Sequence, residues 1–404
     1  MNVRIEKSKA AGEVFAPPSK SFAHRLIICA ALAGESRVRG ISESEDILAT
    51  LDCAAACLGA KFEKNGADVC FTESDVYGEA RGALMCRESG STMRFFIPLC
   101  LVKSTECRLY GAGKLLSRPM SVYESICREQ GLTFRHEGDC VRVCGPLKAG
   151  KFTVPGNISS QFISGLMFAL PLLTGDSEIE IIPPLDSKPY IDITMEALAA
   201  FGVKAEWRGE YTIAIAGGQK YTPADERVEG DYSNAAFLDV FGLFGGDVLV
   251  RGLNEKSVQG DKAYITQFKA LCEGTPEINI SDCPDLAPIL MSVAAAKNGV
   301  HLTGTARLKI KESDRGAVMA EELSKFGVPV TVGEDDITVE GGHFRAPTAV
   351  LSGHNDHRVV MSMAVLSSLT GGEIEGAEAS RKSYPDFFEV IKKLGIEVTC
   401  IDDR

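Results

Sequence analysis

Basic charge, tryptophan, histidine and long apolar runs are all scarce in this chain of 404 residues. Against 55 Asp and Glu it sets 43 Lys and Arg, for a formal charge of -12, with one tryptophan and six histidines. Nonspecific attraction to nucleic acid or anionic lipid calls for a basic face, so any anionic ligand must be held by local clusters. No apolar run approaches the roughly 20 residues of a spanning helix, and no basic segment with an apolar core opens the sequence, so neither membrane insertion nor secretion is expected. The thirteen cysteines are odd in number, form no CxxC pair and lie mostly in apolar stretches such as Leu26–Leu32 and Leu51–Leu58. Cysteine there behaves as a small hydrophobe, and a reducing, cytoplasmic setting is expected.

What remains is of ordinary globular composition, 45% hydrophobic and 24% charged, and the length suggests two or more domains. Six apolar stretches each follow a short polar lead. They are Ser19-Lys20-Ser21 before Phe22–Ala33, Ser89-Gly90-Ser91 before Thr92–Val102, Ser159-Ser160-Gln161 before Phe162–Leu173, Asp231-Tyr232-Ser233 before Asn234–Phe244, Cys283-Pro284-Asp285 before Leu286–Ala296, and Asn355-Asp356-His357 before Arg358–Leu369. The leads begin 70, 70, 72, 52 and 72 residues apart. A period near 70 with one short unit is a repeat.

A second helix in each unit ends at a glycine suited to a left-handed C-cap: Gly59, Gly131, Gly202, Gly274, Gly327 and Gly395. Alternating segments follow, and Lys61–Thr72, Thr133–Val143, Lys204–Ala216 and Val328–Val339 read as hairpins. The short interval has no room for one. The reading is an α/β protein of two similar domains with three units each, divided near Pro223–Gly230; the alternative is one large α/β domain with a chance repeat.

Ser, Asn and Asp at a helix start cap it or, with the backbone N–H groups, bind an anion. Cations there are opposed by the helix dipole. Even so, Lys20, Arg25, Arg94 and Arg358 stand at or just after the leads, Arg118 follows Gly113-Lys114 and Arg315 follows Lys311-Glu312-Ser313-Asp314, which together suggest a ligand with several negative charges. Tyr110-Gly111-Ala112-Gly113-Lys114-Leu115 lacks the first glycine and the final Ser or Thr of a Walker loop. His354 and His357 lack a supporting cluster, so neither metal nor cofactor is expected.

Pro18-Ser19-Lys20-Ser21 with Arg25, Ser89-Gly90-Ser91-Thr92-Met93-Arg94, Ser159-Ser160-Gln161-Phe162, Lys188-Pro189-Tyr190-Ile191-Asp192-Ile193-Thr194, Lys311-Glu312-Ser313-Asp314-Arg315, Asn355-Asp356-His357-Arg358 and Lys382-Ser383-Tyr384-Pro385-Asp386-Phe387-Phe388 together resemble the EPSP synthases of the enolpyruvyl transferase family. The resemblance implies two domains of three βαβαββ repeats, an inside-out α/β barrel arrangement, with residues 1–18 and 229–404 in one domain, 19–228 in the other, and substrates in the cleft between them. It implies transfer of the enolpyruvyl group of phosphoenolpyruvate to the 5-hydroxyl of shikimate 3-phosphate by a monomer. Shikimate 3-phosphate would be held by Lys20, Ser21, Arg25, Ser159, Ser160, Gln161, Ser187, Tyr190, Asp285 and Lys311. Phosphoenolpyruvate would be held by Lys20, Gly90, Arg118, Gln161, Arg315, Arg358 and Lys382.

The chemistry needs an acid for carbon, a base for the hydroxyl and charge stabilisation. Asp285 and Glu312 are the candidates for proton transfer, with Lys20 a third. Without the resemblance, Asp285 reads as an N-cap and Glu312 as a solvated charge. Asp186 and Asp192 read as positioning groups. Two departures stand out: Glu88 and Arg307 occupy positions where family members often carry Asn. The nearest alternative is the sister enzyme acting on UDP-N-acetylglucosamine, which pairs Lys with Asn near the N-terminus and carries a loop cysteine; here Ser21 follows Lys20, and Gly111–Arg118 has no cysteine. A more distant one is a repeat-built binding protein for RNA or another protein, disfavoured by the acidic charge and the absence of a basic-aromatic stripe.

Overall fold

The computed structural model describes residues 1–80 and 82–401. Among the described residues, twelve α-helices alternate between two environments. Those that follow the polar leads are α1 (Lys20–Ala33), α3 (Gly90–Leu101), α5 (Ser160–Ala169), α7 (Tyr232–Leu243), α9 (Ala287–Ala296) and α11 (His357–Thr370). They are largely apolar and buried on nearly every side: every residue from Phe22 to Leu32 of α1 is buried, His24 and Arg25 included. The others, α2 (Glu45–Leu58), α4 (Ser121–Gln130), α6 (Lys188–Ala200), α8 (Tyr264–Glu273), α10 (Arg315–Lys325) and α12 (Phe387–Lys393), carry one buried stripe and a polar face.

The chain divides into two compact units. Met1–Ser19 with the chain from Gly230 onwards forms the first, and Lys20–Glu229 the second. In the second unit, α3 packs on α5, and α1 on α2 and α6. In the first, α9 packs on α11, and both meet α7 and α10.

Five four-stranded sheets among the described residues share one plan. In the sheet Lys151–Pro155, Ser177–Ile182, Thr212–Ile215, Ala205–Trp207, the first pair is parallel and the others antiparallel. The last two strands are the hairpin read from Lys204–Ala216. The other three hairpins form likewise, as Lys61–Asn65 with Asp68–Glu73, Thr133–Glu137 with Cys140–Cys144, and Val330–Val332 with Asp336–Glu340.

Two sheets are completed from far along the chain. Asp225–Arg227, at the end of the second unit, pairs in parallel with Arg37–Arg39 of its first repeat. Asn2–Ile5 stands where a hairpin strand would stand in the last repeat, between Gly372–Glu375 and Val398–Ile401. The sixth sheet has only two strands, Ala11–Phe15 and Asp247–Arg251, as the short interval requires.

One glycine departs from expectation. Gly59, Gly131, Gly202, Gly327 and Gly395 take φ between 58° and 93°, turning the chain back after their helices. Gly274, with φ 174° and ψ -154°, is extended. After α8 the chain has no hairpin to enter and runs through Thr275 and Pro276 into Glu277–Asn279, so no left-handed turn is needed.

Candidate active site

In the second unit the helix leads gather around Arg25. Its side chain is 2% exposed, yet it forms no ion pair with any described residue. Nε donates to Thr194 Oγ1 at 2.7 Å, Nη1 to the Ser21 carbonyl at 2.7 Å, and Nη2 to the Tyr190 carbonyl at 2.9 Å and Ser164 Oγ at 3.3 Å. The guanidinium lies 5.1 Å from the centre of the Phe95 ring. Burial draws its pKa down to about 10. A buried cation without a carboxylate is costly unless an anion completes the site.

Lys20 opens α1, and its ammonium lies 2.9 Å from Asp46 Oδ2, in the first turn of α2. Asp46 escaped the sequence reading because an acidic residue at a helix start already serves the dipole.

Gly90 opens α3, whose cap is Ser89 accepting from the Thr92 amide. A Cβ on Gly90 would lie 2.5 Å from Arg118 Nη1 and 3.4 Å from Arg94 Nη1, so two guanidinium groups crowd this helix start. Arg94 donates to Gln161 Oε1 at 2.7 Å, and Gln161 Nε2 to Ser91 Oγ at 2.8 Å. The structure thus ties Gln161 to the α3 lead. Ser159 accepts from the Gln161 amide and caps α5, with Ser160 buried just after it. Ser187 is left-handed, with φ 58°, at the start of α6. Its loop packs on the turn before Ser159: the Asp186 amide donates to the Gly156 carbonyl at 3.2 Å. Asp192 accepts from Lys188 Nζ and Trp207 Nε1 at 2.9 and 3.0 Å, holding that helix start.

In the first unit the charges form one network. Asp285 Oδ1 accepts from Arg315 Nη1 at 2.8 Å and Lys311 Nζ at 3.2 Å, and Oδ2 from Arg358 Nη2 at 2.9 Å. Both carboxylate oxygens are therefore engaged by cations, and Asp285 does not occupy the N-cap of α9, which is Leu286. Glu312 is no freely solvated charge either, since its Oε2 lies 2.7 Å from Arg315 Nη2. Asp356 caps α11 through the Arg358 amide and takes Arg315 Nε at 2.9 Å and Ser313 Oγ at 3.0 Å. Arg358 Nη1 reaches Ser233 Oγ at 2.6 Å, and Lys382 Nζ the Asn355 carbonyl at 2.8 Å.

Burial lowers Lys311, resisted by Asp285 and reinforced by Arg315 and Arg307. Burial also pulls Arg315 down, but Asp356, Glu312 and Asp285 together raise it above its usual value. The site therefore holds fixed cations beside three carboxylates, Asp285, Glu312 and Asp356, and one lysine, Lys311, that gives up its proton more readily than usual.

The two departures have structural partners. Arg307 is buried and donates to the Ser281 carbonyl at 2.7 Å. The Glu88 carboxylate lies against Gly113, where a Cβ would come within 2.8 Å of it. Of the residues that hold Arg25, Ser164 lies in an apolar stretch and in none of the motifs, and Thr194 closes the Lys188–Thr194 motif without any sign that Arg25 is its partner; Asp356 read as part of a lead rather than as the partner of Arg315.

The family model for EPSP synthase (3-phosphoshikimate 1-carboxyvinyltransferase) matches residues 5–391. The chain is 38% identical to the 3-phosphoshikimate 1-carboxyvinyltransferase of Clostridium kluyveri, covering 98% of each, and 39% identical to that of Clostridium acetobutylicum, again over 98% of each. A solved EPSP synthase from Acinetobacter baumannii superposes with a TM-score of 0.79 at 26% identity, covering 99% of this chain and 100% of that one. With charged helix leads on a sixfold repeat, and similarity over nearly its whole length, the chain belongs to the EPSP synthase family.

Proposed function

We propose that this chain transfers the enolpyruvyl group of phosphoenolpyruvate to the 5-hydroxyl of shikimate 3-phosphate, releasing phosphate, as the names of its relatives indicate. Buried Arg25, without a carboxylate partner among the described residues, is the observation that carries the reading. It asks for an anionic group on the acceptor, which the shikimate carboxylate supplies. Ser21 assists Arg25; Ser159, Ser160 and Ser187 take the 3-phosphate; Gln161, Tyr190, Asp285 and Lys311 take the ring and its hydroxyls. Lys20 also contacts this substrate. Phosphoenolpyruvate is held by Lys20, Gly90, Arg118, Gln161, Arg315, Arg358 and Lys382.

The hydroxyl oxygen adds to C2 of phosphoenolpyruvate while C3 takes a proton, giving a tetrahedral intermediate. Loss of a C3 proton then restores the double bond as the C2–O bond to phosphate breaks. Asp285 and Glu312 carry the protons, with Lys20 as a further candidate. Asp285, bound by three cations, accepts a proton only when the anionic substrate draws those cations onto itself. The fixed guanidinium groups stabilise charge at the departing phosphate. The enzyme works as a cytoplasmic monomer, without metal, cofactor or nucleic acid.

A phosphate-release assay with phosphoenolpyruvate and either shikimate 3-phosphate or UDP-N-acetylglucosamine tests the reading. Release is expected with the shikimate alone; release only with the sugar nucleotide would overturn it. The full-length relatives already disfavour the sugar reaction.

A further inference from the structure

Helix α10 carries Arg315 at its start and Glu322 two turns later, so both side chains project from neighbouring positions on one face. Both reach the same short segment. Arg315 binds Asp356. Glu322, wholly buried, accepts from His354 Nε2 at 2.7 Å and from the Ser352 amide at 3.0 Å. Lys325 Nζ closes the cluster, 2.9 Å from each Glu322 oxygen and 3.0 Å from the Val350 carbonyl.

The segment so held is unusual. His354 and Asn355 are consecutive non-glycine residues in left-handed conformation, with φ 46° and 55°. Side chains other than Gly, Asn and Asp resist that region, so an outside contact must hold the turn. The turn in turn sets two groups of the candidate site: the Asn355 carbonyl receives Lys382 Nζ at 2.8 Å, and Asp356 receives Arg315 Nε at 2.9 Å.

We propose that Glu322, acting through His354 and the Ser352 amide, is a positioning residue for phosphoenolpyruvate binding: it fixes the 352–355 turn so that Lys382 and Arg315 present their charges in one geometry. This rests on the proposed function. Glu322 touches no substrate and is not a catalytic residue. Glu321, Glu322 and His354 also lie close enough to share a metal ion, but a metal would have to displace the Lys325 ammonium, which already neutralises Glu322.

The test uses His354→Ala, Glu322→Leu and Glu322→Gln in the full chain. Steady-state kinetics with both substrates, calorimetric binding of shikimate 3-phosphate alone and melting temperature are measured for each. His354→Ala and Glu322→Leu should raise KM for phosphoenolpyruvate about tenfold or more, as expected for misplacing a charged hydrogen-bonding group. Glu322→Gln keeps an acceptor for the turn and should recover most of that loss. The Kd for shikimate 3-phosphate should stay within about twofold throughout, since its anion-binding residues lie on other elements.

If folded His354→Ala keeps the wild-type KM for phosphoenolpyruvate, or if both substrates weaken in parallel, the positioning role is lost. Activity that is abolished by a chelator and restored by a divalent ion would overturn it in favour of a metal site. Glu322→Leu is the variant most prone to misfold, and His354→Ala keeps the question open to refutation without it. Absence of turnover in the wild-type protein would instead refute the proposed function.

Discussion

Arg118 fills the space that a side chain on Gly90 would need: a Cβ there would come within 2.5 Å of Nη1. Gly90→Ala must therefore displace a guanidinium, at the end of a flexible side chain, rather than break the helix. KM for phosphoenolpyruvate should rise by about tenfold or more, with the Kd for shikimate 3-phosphate unchanged. Steady-state kinetics decide it, and an unaltered KM would show that Arg118 does not depend on the glycine.

Arg25 donates in four directions from one planar group, which a lysine cannot reproduce. Arg25→Lys should weaken shikimate 3-phosphate by about 10- to 100-fold, read by calorimetry. Some loss of melting temperature should accompany it, because Thr194 and the Tyr190 carbonyl lose donors. If shikimate 3-phosphate affinity survives, Arg25 is a structural charge and the acceptor assignment fails.

Asp285 and Glu312 differ in their surroundings, and their removal should differ too. Asp285→Ala should lower kcat by about 10²- to 10⁴-fold, within the range for loss of a proton-transfer group, while phosphoenolpyruvate binding persists because the three cations remain. Glu312→Gln keeps an acceptor for Arg315 and should lower kcat with little change in KM. Exchange of the C3 protons of phosphoenolpyruvate with deuterated solvent, followed by NMR, reports which variant has lost protonation at carbon.

His24 supplies a pH prediction. Burial, then the charges of Lys20 and Arg25, hold its pKa well below the usual value, so the folded protein keeps the ring neutral while the unfolded chain takes up a proton near pH 6.5. The unfolded state binds more protons in that window, so the contribution is full above about pH 6.5 and is lost as pH falls towards the folded pKa, at up to about 1.4 kcal/mol per pH unit. Melting curves between pH 5 and 7.5 should show the slope reduced by one proton in His24→Gln. Parallel curves for the two proteins would place the acid sensitivity elsewhere.

The elements legible in the sequence are those whose cause is local. The apolar runs after each lead, the helix-ending glycines and the alternating hairpins carry their signal within a dozen residues, and helices, left-handed glycines and strands stand there. Gly274 misled because a glycine after a helix also suits an extended exit. Long-range partners were opaque for a different reason: nothing near Asp46 or Thr194 says that Lys20 and Arg25 will lie against them. In the first unit the charges of Lys311, Glu312 and Arg315 were visible one by one. The convergence of Lys311 and Arg315 on Asp285, with Glu312 held on Arg315, depends on helix packing.

Pro18 and Gly230 form an antiparallel bridge, and the Asp231 amide donates to the Pro17 carbonyl at 2.8 Å. The chain therefore leaves the first unit and re-enters it at neighbouring points, which bridge pairing places about 5 Å apart. The 211-residue stretch between them, Ser19 and the whole second unit, is topologically a cassette. Splicing Pro18 to Gly230 through a short glycine link would leave every strand of the first unit with its partners, and the excised piece would carry its own closing strand, Asp225–Arg227, with it.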